Sequence, residues 1–431
     1  MIEELYAHFL QHPFICTDTR KIEPNAIFFA LKGDNFNGNK FAAKALENGC
    51  SYAVIDEEEY NTSDRFILVE DVLTALQQLA KHHRQQLNIP VLGITGSNGK
   101  TTTKELIRAV ISQKLNTFAT FGNLNNHIGV PLSLLSITAQ HEFAIIEMGA
   151  NHQKEIEELC QIALPEFGII TNIGKAHIEG FGSEQGIIKG KGELFDHLAT
   201  SGGKAFINNN SVIIQDMAKS RSLSSISYGS EQPSDYNGQL RSVSPFVQLT
   251  WNTTAYQSEN IESCLIGTYN FENILAAISI GHFFGVEPEK IKKAIEGYVP
   301  DNNRSQLLKT ATNTIILDAY NANPSSVTAA IKNLHAMEAE QKFFILGDML
   351  ELGNESKTEH QGIIKLIQQL ELNSGVFVGN EFKQIMDDFD FPVFDTTTEA
   401  QEYLLQSPIQ NSLILIKGSR GIKLEPLADI L

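Results

Sequence analysis

Short apolar runs alternate with amphipathic stretches almost from one end of the chain to the other, which is the pattern of parallel strands joined by crossover helices. Runs at 26–31, 52–56 and 66–70 predict strands, and helices are expected at 40–48 and 73–87. A second segment opens with a predicted strand at 90–95, passes through a glycine-rich turn, and enters a helix whose Leu106, Ile107, Val110 and Ile111 share one face. Strands follow at 143–148, 168–171 and 205–208. Residues 220–239 turn polar and serine-rich, so surface connections are expected there; β-type runs at 243–251 and 261–266 and helices at 273–284 and 287–296 complete the segment. Beyond Pro300, five runs at 314–317, 343–346, 375–378, 393–395 and 413–416 are spaced by helical stretches, which predicts a doubly wound, Rossmann-like unit.

A chain of 431 residues is too long for one ordinary core. The expected fold is therefore α/β in three domains. Residues 1–85 form a small α/β domain, 86–300 a central domain like a P-loop ATPase with a mostly parallel sheet, and 301–431 the Rossmann-like domain. Hydrophobic residues at 42% and charged residues at 19% fit an ordinary globular protein. The net charge of -18 repels phosphate polymers and anionic membranes, so neither nucleic acid nor membrane insertion is expected. A single nucleotide stays open, because local backbone N–H groups and one lysine hold a small anion whatever the global field. Cys16, Cys50, Cys160 and Cys264 show no CxxC spacing and read as reduced thiols. The first residues lack a basic and apolar leader pattern, and no 18-residue apolar run occurs, so a cytoplasmic protein is expected.

The sharpest local signal is PVLGITGSNGKTTTKE, where a buried strand runs into Gly96-Ser97-Asn98-Gly99 and then Lys100-Thr101-Thr102 at a helix start. Glycines let successive N–H groups converge on phosphate oxygens, the lysine offsets their charge, and the Thr101 hydroxyl can ligate magnesium. The general phosphate-loop pattern would need glycine at position 94, where Ile94 stands, so the loop is a variant. Glu147 ends an apolar run and is expected at a strand's carboxyl end beside this turn, where ligands bind in α/β sheets. Alone it would be an ordinary solvated carboxylate; beside the turn it becomes a candidate metal ligand. His177 also follows a strand. Lys191 sits on a predicted helix between Gly190 and Gly192, each about 1 kcal/mol worse there than alanine, which suggests close approach of a backbone or ligand.

In order and spacing, GITGSNGKTTTKE, FGNLNNHIGVP, IIEMGANHQKEIE, TNIGKAHIEGFGS, KGKGELF, GTYNFENILAA, LDAYNANPSSV, LGDMLELG and IKGSRG resemble the Mur ligase family. With DTRKIEPNAIFFALKG near the start, the similarity covers essentially the whole chain. The run from Asp318 to Pro324, DAYNANP, together with LGDMLELG, is similar to the members that add D-alanyl-D-alanine, whereas the DYAHTP-like run of the diaminopimelate- or lysine-adding members is missing.

The resemblance implies ATP-dependent ligation of D-alanyl-D-alanine to UDP-N-acetylmuramoyl-tripeptide through an acyl phosphate, for peptidoglycan synthesis, by a monomer. The third residue of the tripeptide, lysine or diaminopimelate, is left open. The nearest alternative is another amide ligase of the superfamily, such as folylpolyglutamate synthase. By resemblance, Gly96 to Thr102 hold ATP together with Asn270 and Asn273 at the adenine and Arg304 and Asp318 from the third domain. Two Mg²⁺ ions are implied, on Thr101, Glu147, His177 and a carbamylated Lys191, with Lys100, Glu147, His177 and Lys191 as the catalytic set. Thr17, Asp18, Thr19 and Arg20 resemble the uridine-side motif of a UDP-substrate-binding first domain. Asn125, Asn126, Tyr320, Asn321, Asn323 and residues 417–420 are assigned to the substrate cleft. Two departures stand out: Asn303 where the family tends to have glycine, and Asn37-Gly38-Asn39 in place of Asp-Gly-His.

Overall fold

Parallel strands buried on both faces need near-continuous apolar runs, and the runs above supply them. The structure is a computed structural model describing residues 1–385 and 391–431. Among these residues, three principal sheets each come from one continuous stretch of chain. The first has four parallel strands in sequence order: Ile15–Cys16, Ile27–Phe29, Tyr52–Ile55 and Phe66–Leu68. The helix predicted at 40–48 divides into a tight turn, Gly38–Phe41, and a short helix, Ala42–Glu47. Gly38 explains the division, since a Cβ there would lie 2.5 Å from the Ala30 carbonyl carbon. An unpredicted helix, Ile2–Gln11, buries Leu5 and Phe9 against this unit.

The helix Val72–Gln86 starts where the Asp71 carboxylate accepts the Thr74 N–H at 2.7 Å. Its Val72, Leu76 and Leu79 share one core with Val130, Leu134, Ile156 and Leu159 of the middle stretch, joining the first two units. Arg84, only 4% exposed, fixes this junction by donating to the carbonyls of Ala163 (3.0 Å), Leu87 (3.1 Å) and Leu164 (3.2 Å) and to the Glu166 carboxylate (2.5 Å). Arg84→Ala strands the buried Ala163 carbonyl and removes a donor from the partly exposed Leu87, Leu164 and Glu166, so urea unfolding should show a loss of about 2 kcal/mol; a change within error would mean that the clamp is dispensable.

The middle sheet has nine strands. Val91–Thr95 lies between Phe143–Glu147 and Phe167–Ile170, with Thr117–Ala119 at the near edge. Lys204–Asn208, Ser224–Gly229 and Tyr236–Ser242 continue the other side in parallel, and Gln248–Asn252 and Ile261–Glu262 finish it antiparallel. The expectation of surface connections at 220–239 is corrected here. Ser224 and Ser225 face water while Tyr228 and Gly229 are buried, so an exposed, serine-rich strand start hid an extended sheet. The predicted helix at 273–284 begins earlier, as Tyr269–Phe283, which carries Asn270 and Asn273 onto its first turn.

The third sheet runs Gln306–Lys309, Thr314–Leu317, Ser412–Lys417, Gln341–Gly347, Gly375–Val378, Val393–Phe394. All five predicted strands are present, and the first, an antiparallel edge, was not predicted. Ile316, Phe344 and Phe377 meet Ile331 and Ile364 of the helices Pro324–Ala336 and Ser356–Gln369, while Ile315, Ile345 and Ile414 face Ala400 and Leu404 of Thr397–Gln406. No helix among the described residues is long and apolar enough to cross a membrane.

Candidate active site

The carboxyl ends of the middle and third sheets face one cavity of about 780 Å³. One wall carries the turn from Ser97 to Thr102 with Glu147 and His177; the other carries Arg304, Asp318, Tyr320, Asn321 and Asn323, with Lys417. Asn125, Asn126, Asn270 and Asn273 also line it. Lining it does not involve Gly96, Lys191 or the segment Thr17 to Arg20.

Gly96 and Gly99 adopt φ of +145° and +77°, a region that side chains rarely enter. A Cβ on Gly96 would stand 2.0 Å from the Thr171 hydroxyl, so the turn can lie flat on the neighbouring strand end only with glycine. The turn is then tied down. Asn98 N–H donates to the Asn172 side chain (3.0 Å), the Thr171 hydroxyl donates to the Asn98 carbonyl (2.6 Å), and the Ser97 hydroxyl donates to the Gly174 carbonyl (2.8 Å). Lys100 folds back so that its amine donates to the Gly96 carbonyl at 2.7 Å. Burial pulls its pKa down to about 8, against the opposing pull of Glu147 and with the added push of Arg304.

Glu147 lies opposite Ile94 on the adjacent strand and is 1% exposed. Its carboxylate accepts the Thr101 hydroxyl at 3.0 Å and the Asn125 amide at 2.9 Å, and faces the buried Lys104 ammonium at 3.6 Å. Lys191 is 1% exposed, behind the cavity floor, with its amine on the carbonyl of Ala150 at 3.0 Å and 5.0 Å from the centre of the Phe181 ring. Burial, followed by the charge of Lys100, holds its pKa well below the usual lysine range, opposed by Glu155 and Glu193. Tight approach at Gly190 and Gly192 is present, but what approaches is the Phe181 ring and the Arg221 guanidinium. Those glycines therefore report helix packing.

Asn270 and Asn273 are buried and linked: Asn273 donates to Asn270 at 2.9 Å, Asn270 to the Ile266 carbonyl at 2.8 Å, and the Thr103 hydroxyl to Asn273 at 3.1 Å. On the opposite wall the Arg304 guanidinium stacks 3.7 Å over the Tyr320 ring, and its buried Nε has no protein partner. Asn303, standing for the family's glycine, takes φ +55°, which asparagine tolerates better than most residues. Asp318 accepts the Lys417 ammonium at 2.6 Å and the Ser305 N–H at 3.1 Å. Asn39 bridges to Asp56 at 2.7 Å, a clamp within the first unit. In the half-buried segment after the first strand, Asp18 is held by the exposed Arg20 (2.7 Å), which lowers its pKa to about 2.

Several pairings across the cleft were not predicted from sequence, although Asn98, Asn323 and His177 were each singled out. Asn323 donates to Asn98 at 2.7 Å, Lys175 reaches Glu359 at 2.6 Å, and Nδ1 of His177 is hydrogen-bonded to the Glu351 carboxylate. Such pairs join positions far apart in sequence, and no local pattern announces them.

Residues 12–84 match the sequence family described as "Mur ligase family, catalytic domain", 94–281 the "Mur ligase middle domain", and 303–420 the "Mur ligase, glutamate ligase domain". A curated relative from Bacillus subtilis (strain 168), UDP-N-acetylmuramoyl-tripeptide--D-alanyl-D-alanine ligase, is 36% identical over 96% of this chain and 92% of its own length. A crystal structure of MurF from Acinetobacter baumannii superposes with a TM-score of 0.87 at 31% identity, covering 96% of this chain and 92% of that one. The MurF ligase of Thermotoga maritima in complex with ADP shares the fold at TM-score 0.86 and 24% identity, covering 98% and 97%. Three consecutive family matches and a relative aligned over nearly its full length agree with the order of motifs along the sequence, and the chain belongs to the Mur ligase family.

Proposed function

We propose that the chain joins D-alanyl-D-alanine to the terminal carboxylate of UDP-N-acetylmuramoyl-tripeptide, with ATP converted to ADP and phosphate. The observation that carries this is the single cavity in which a phosphate-binding turn faces Arg304 and the segment Asp318 to Asn323. A peptide carboxylate oxygen attacks the γ-phosphorus and the bond to the β-phosphate oxygen breaks, releasing ADP. The dipeptide amine then attacks the acyl carbon, the carbon–oxygen bond to phosphate breaks, and the amine gives up a proton to solvent. Lys100 and the N–H groups of the turn hold the phosphate charge, and the unpartnered Arg304 Nε supplies a donor from the opposite wall. Contacts such as Asn98 with Asn323 bring the third sheet over the turn and exclude water, which would otherwise hydrolyse the acyl phosphate.

Among the described residues no cluster of three or more His, Cys, Asp and Glu forms a ready-made metal cage. Magnesium takes one or two carboxylates and substrate phosphates rather than an all-protein shell. Thr101 and Glu147, already 3.0 Å apart, fit the first ion, and His177 with Lys191 would serve a second. Bound there, magnesium would neutralise charge on the transferring phosphoryl group. The depressed pKa of Lys191 favours the neutral amine needed to take up carbon dioxide as a carbamate. The reading includes domains at 1–85, 86–300 and 301–431, with the segment Thr17 to Arg20, which does not line the cavity, holding the uridine end. It also includes a monomer in the cytoplasm, where four free cysteines are at home.

The alternative of another superfamily amide ligase is disfavoured by the full-length similarity to a D-alanyl-D-alanine-adding relative. Sustained ADP release should require the tripeptide and D-alanyl-D-alanine together. Release independent of the dipeptide would overturn the proposal, and comparing lysine- and diaminopimelate-containing tripeptides would identify the acceptor.

A further inference from the structure

His177 and Glu351 both sit in left-handed backbone conformations, at φ +55° and +63°, although neither is glycine. Such strain persists only where the surroundings impose it, and here two strained residues meet across the cleft between the middle and third sheets. The segment carrying Glu351 is held on every side. The Asp348 carboxylate accepts the N–H groups of Glu381 (2.9 Å) and Phe382 (3.0 Å), Met349 N–H donates to His360 (3.0 Å), and Leu350 N–H donates to the Ser419 hydroxyl (2.9 Å). Met349 and Leu352 are buried in the core of the third sheet. The Glu351 side chain projects from that platform to His177, and its carbonyl also meets the Glu179 N–H at 3.4 Å.

The geometry points to Glu351 as a positioning residue that reaches from the third domain to His177 and fixes its tautomer, so that the second metal position is completed only when the domains meet. A carboxylate only accepts, so the shared proton belongs to Nδ1 of His177 and the lone pair is left on Nε2, in a side chain that lines the cavity. A carboxylate behind an imidazole orients the ring and raises its basicity towards a metal. Glu351 belongs to the third sheet's loop and His177 to the middle sheet's, so the contact that orients the histidine spans the cleft between them. This inference rests on the metal role proposed for His177, but the contact itself can be read without metal.

In metal-free protein, nitrogen-15 spectra of the histidine rings, with the His177 signal identified by its loss in His177→Asn, should show the proton on Nδ1. Glu351→Ala should move it to Nε2, whereas Glu351→Gln, whose amide oxygen still accepts, should keep it. The magnesium concentration giving half-maximal ADP formation should rise about 10- to 100-fold in Glu351→Ala and much less in Glu351→Gln. Glu359→Gln, which weakens the other cross-cleft pair with Lys175, should alter neither readout. Wild-type protein with the proton on Nε2, or Glu359→Gln reproducing the magnesium effect, would overturn the inference. So would a flipped tautomer with an unchanged magnesium midpoint, which would separate His177 from the metal. Failure of the proposed function would appear instead as dipeptide-independent ADP release by the wild type.

Discussion

Lys100→Ala should lower the rate of ADP formation by about 10³-fold while leaving the fold intact, the scale seen when one preorganised charge donor is removed from a transition state. The side chain closes the turn on itself through the Gly96 carbonyl, so its ammonium is held where phosphate oxygens would arrive. Lys100→Arg should not restore activity, because a planar guanidinium cannot occupy the site of a compact ammonium against that carbonyl. The same burial gives a pH signature. With a pKa near 8 in the free protein, the amine loses its charge as pH rises through that value, and kcat/KM for ATP should fall along with it. A profile that stays flat from neutral pH to well above 8 would remove this lysine from phosphate binding.

The strands most legible in sequence are those with both faces buried, although the less buried Phe66–Leu68 and Val393–Phe394 were also predicted. Val91–Thr95, Phe143–Glu147 and Ser412–Lys417 are buried at every position, and each appears as a short apolar run. Three wetter strands left no such mark: Thr117–Ala119 is half-buried throughout, Ser224–Gly229 hides behind serines, and Gln306–Lys309 is a mostly half-buried edge. Glycine chemistry made the phosphate turn legible because φ of +145° at Gly96 is a local requirement written in a single residue. The carboxylate that meets His177 was not legible as such. LGDMLELG is distinctive as a string, but which of its acidic residues crosses the cleft depends on Asp348 being used internally, on the N–H groups of Glu381 and Phe382. The segment Thr17 to Arg20 shows the reverse: a recognisable motif whose charged side chains here satisfy each other.

Lys191→Ala should lower ligation by about a hundredfold or more, the cost expected when the ligand shell of a metal is broken. It should do so without unfolding the protein. Truncation relieves a buried amine whose charged form is disfavoured, but it also opens a cavity and leaves the buried Ala150 carbonyl without its donor, so the thermal midpoint should fall while the transition stays cooperative. Two further measurements separate a carbamate from an ordinary buried lysine. Adding a small carboxylate such as formate at high concentration should return part of the activity, since a free acid can occupy the space left beside Phe181 and the Ala150 carbonyl and supply the missing oxygens. Depleting carbon dioxide should slow the wild type and leave the alanine variant unaffected, and adding bicarbonate should reverse the slowing. Lysine chemistry sets the sign of both effects. Carbamate formation needs the neutral amine, and at Lys191 burial and the nearby charge of Lys100 both favour that form. Full activity in the unsupplemented alanine variant would exclude Lys191 from the site and leave the second ion with His177 alone among the protein groups assigned to it.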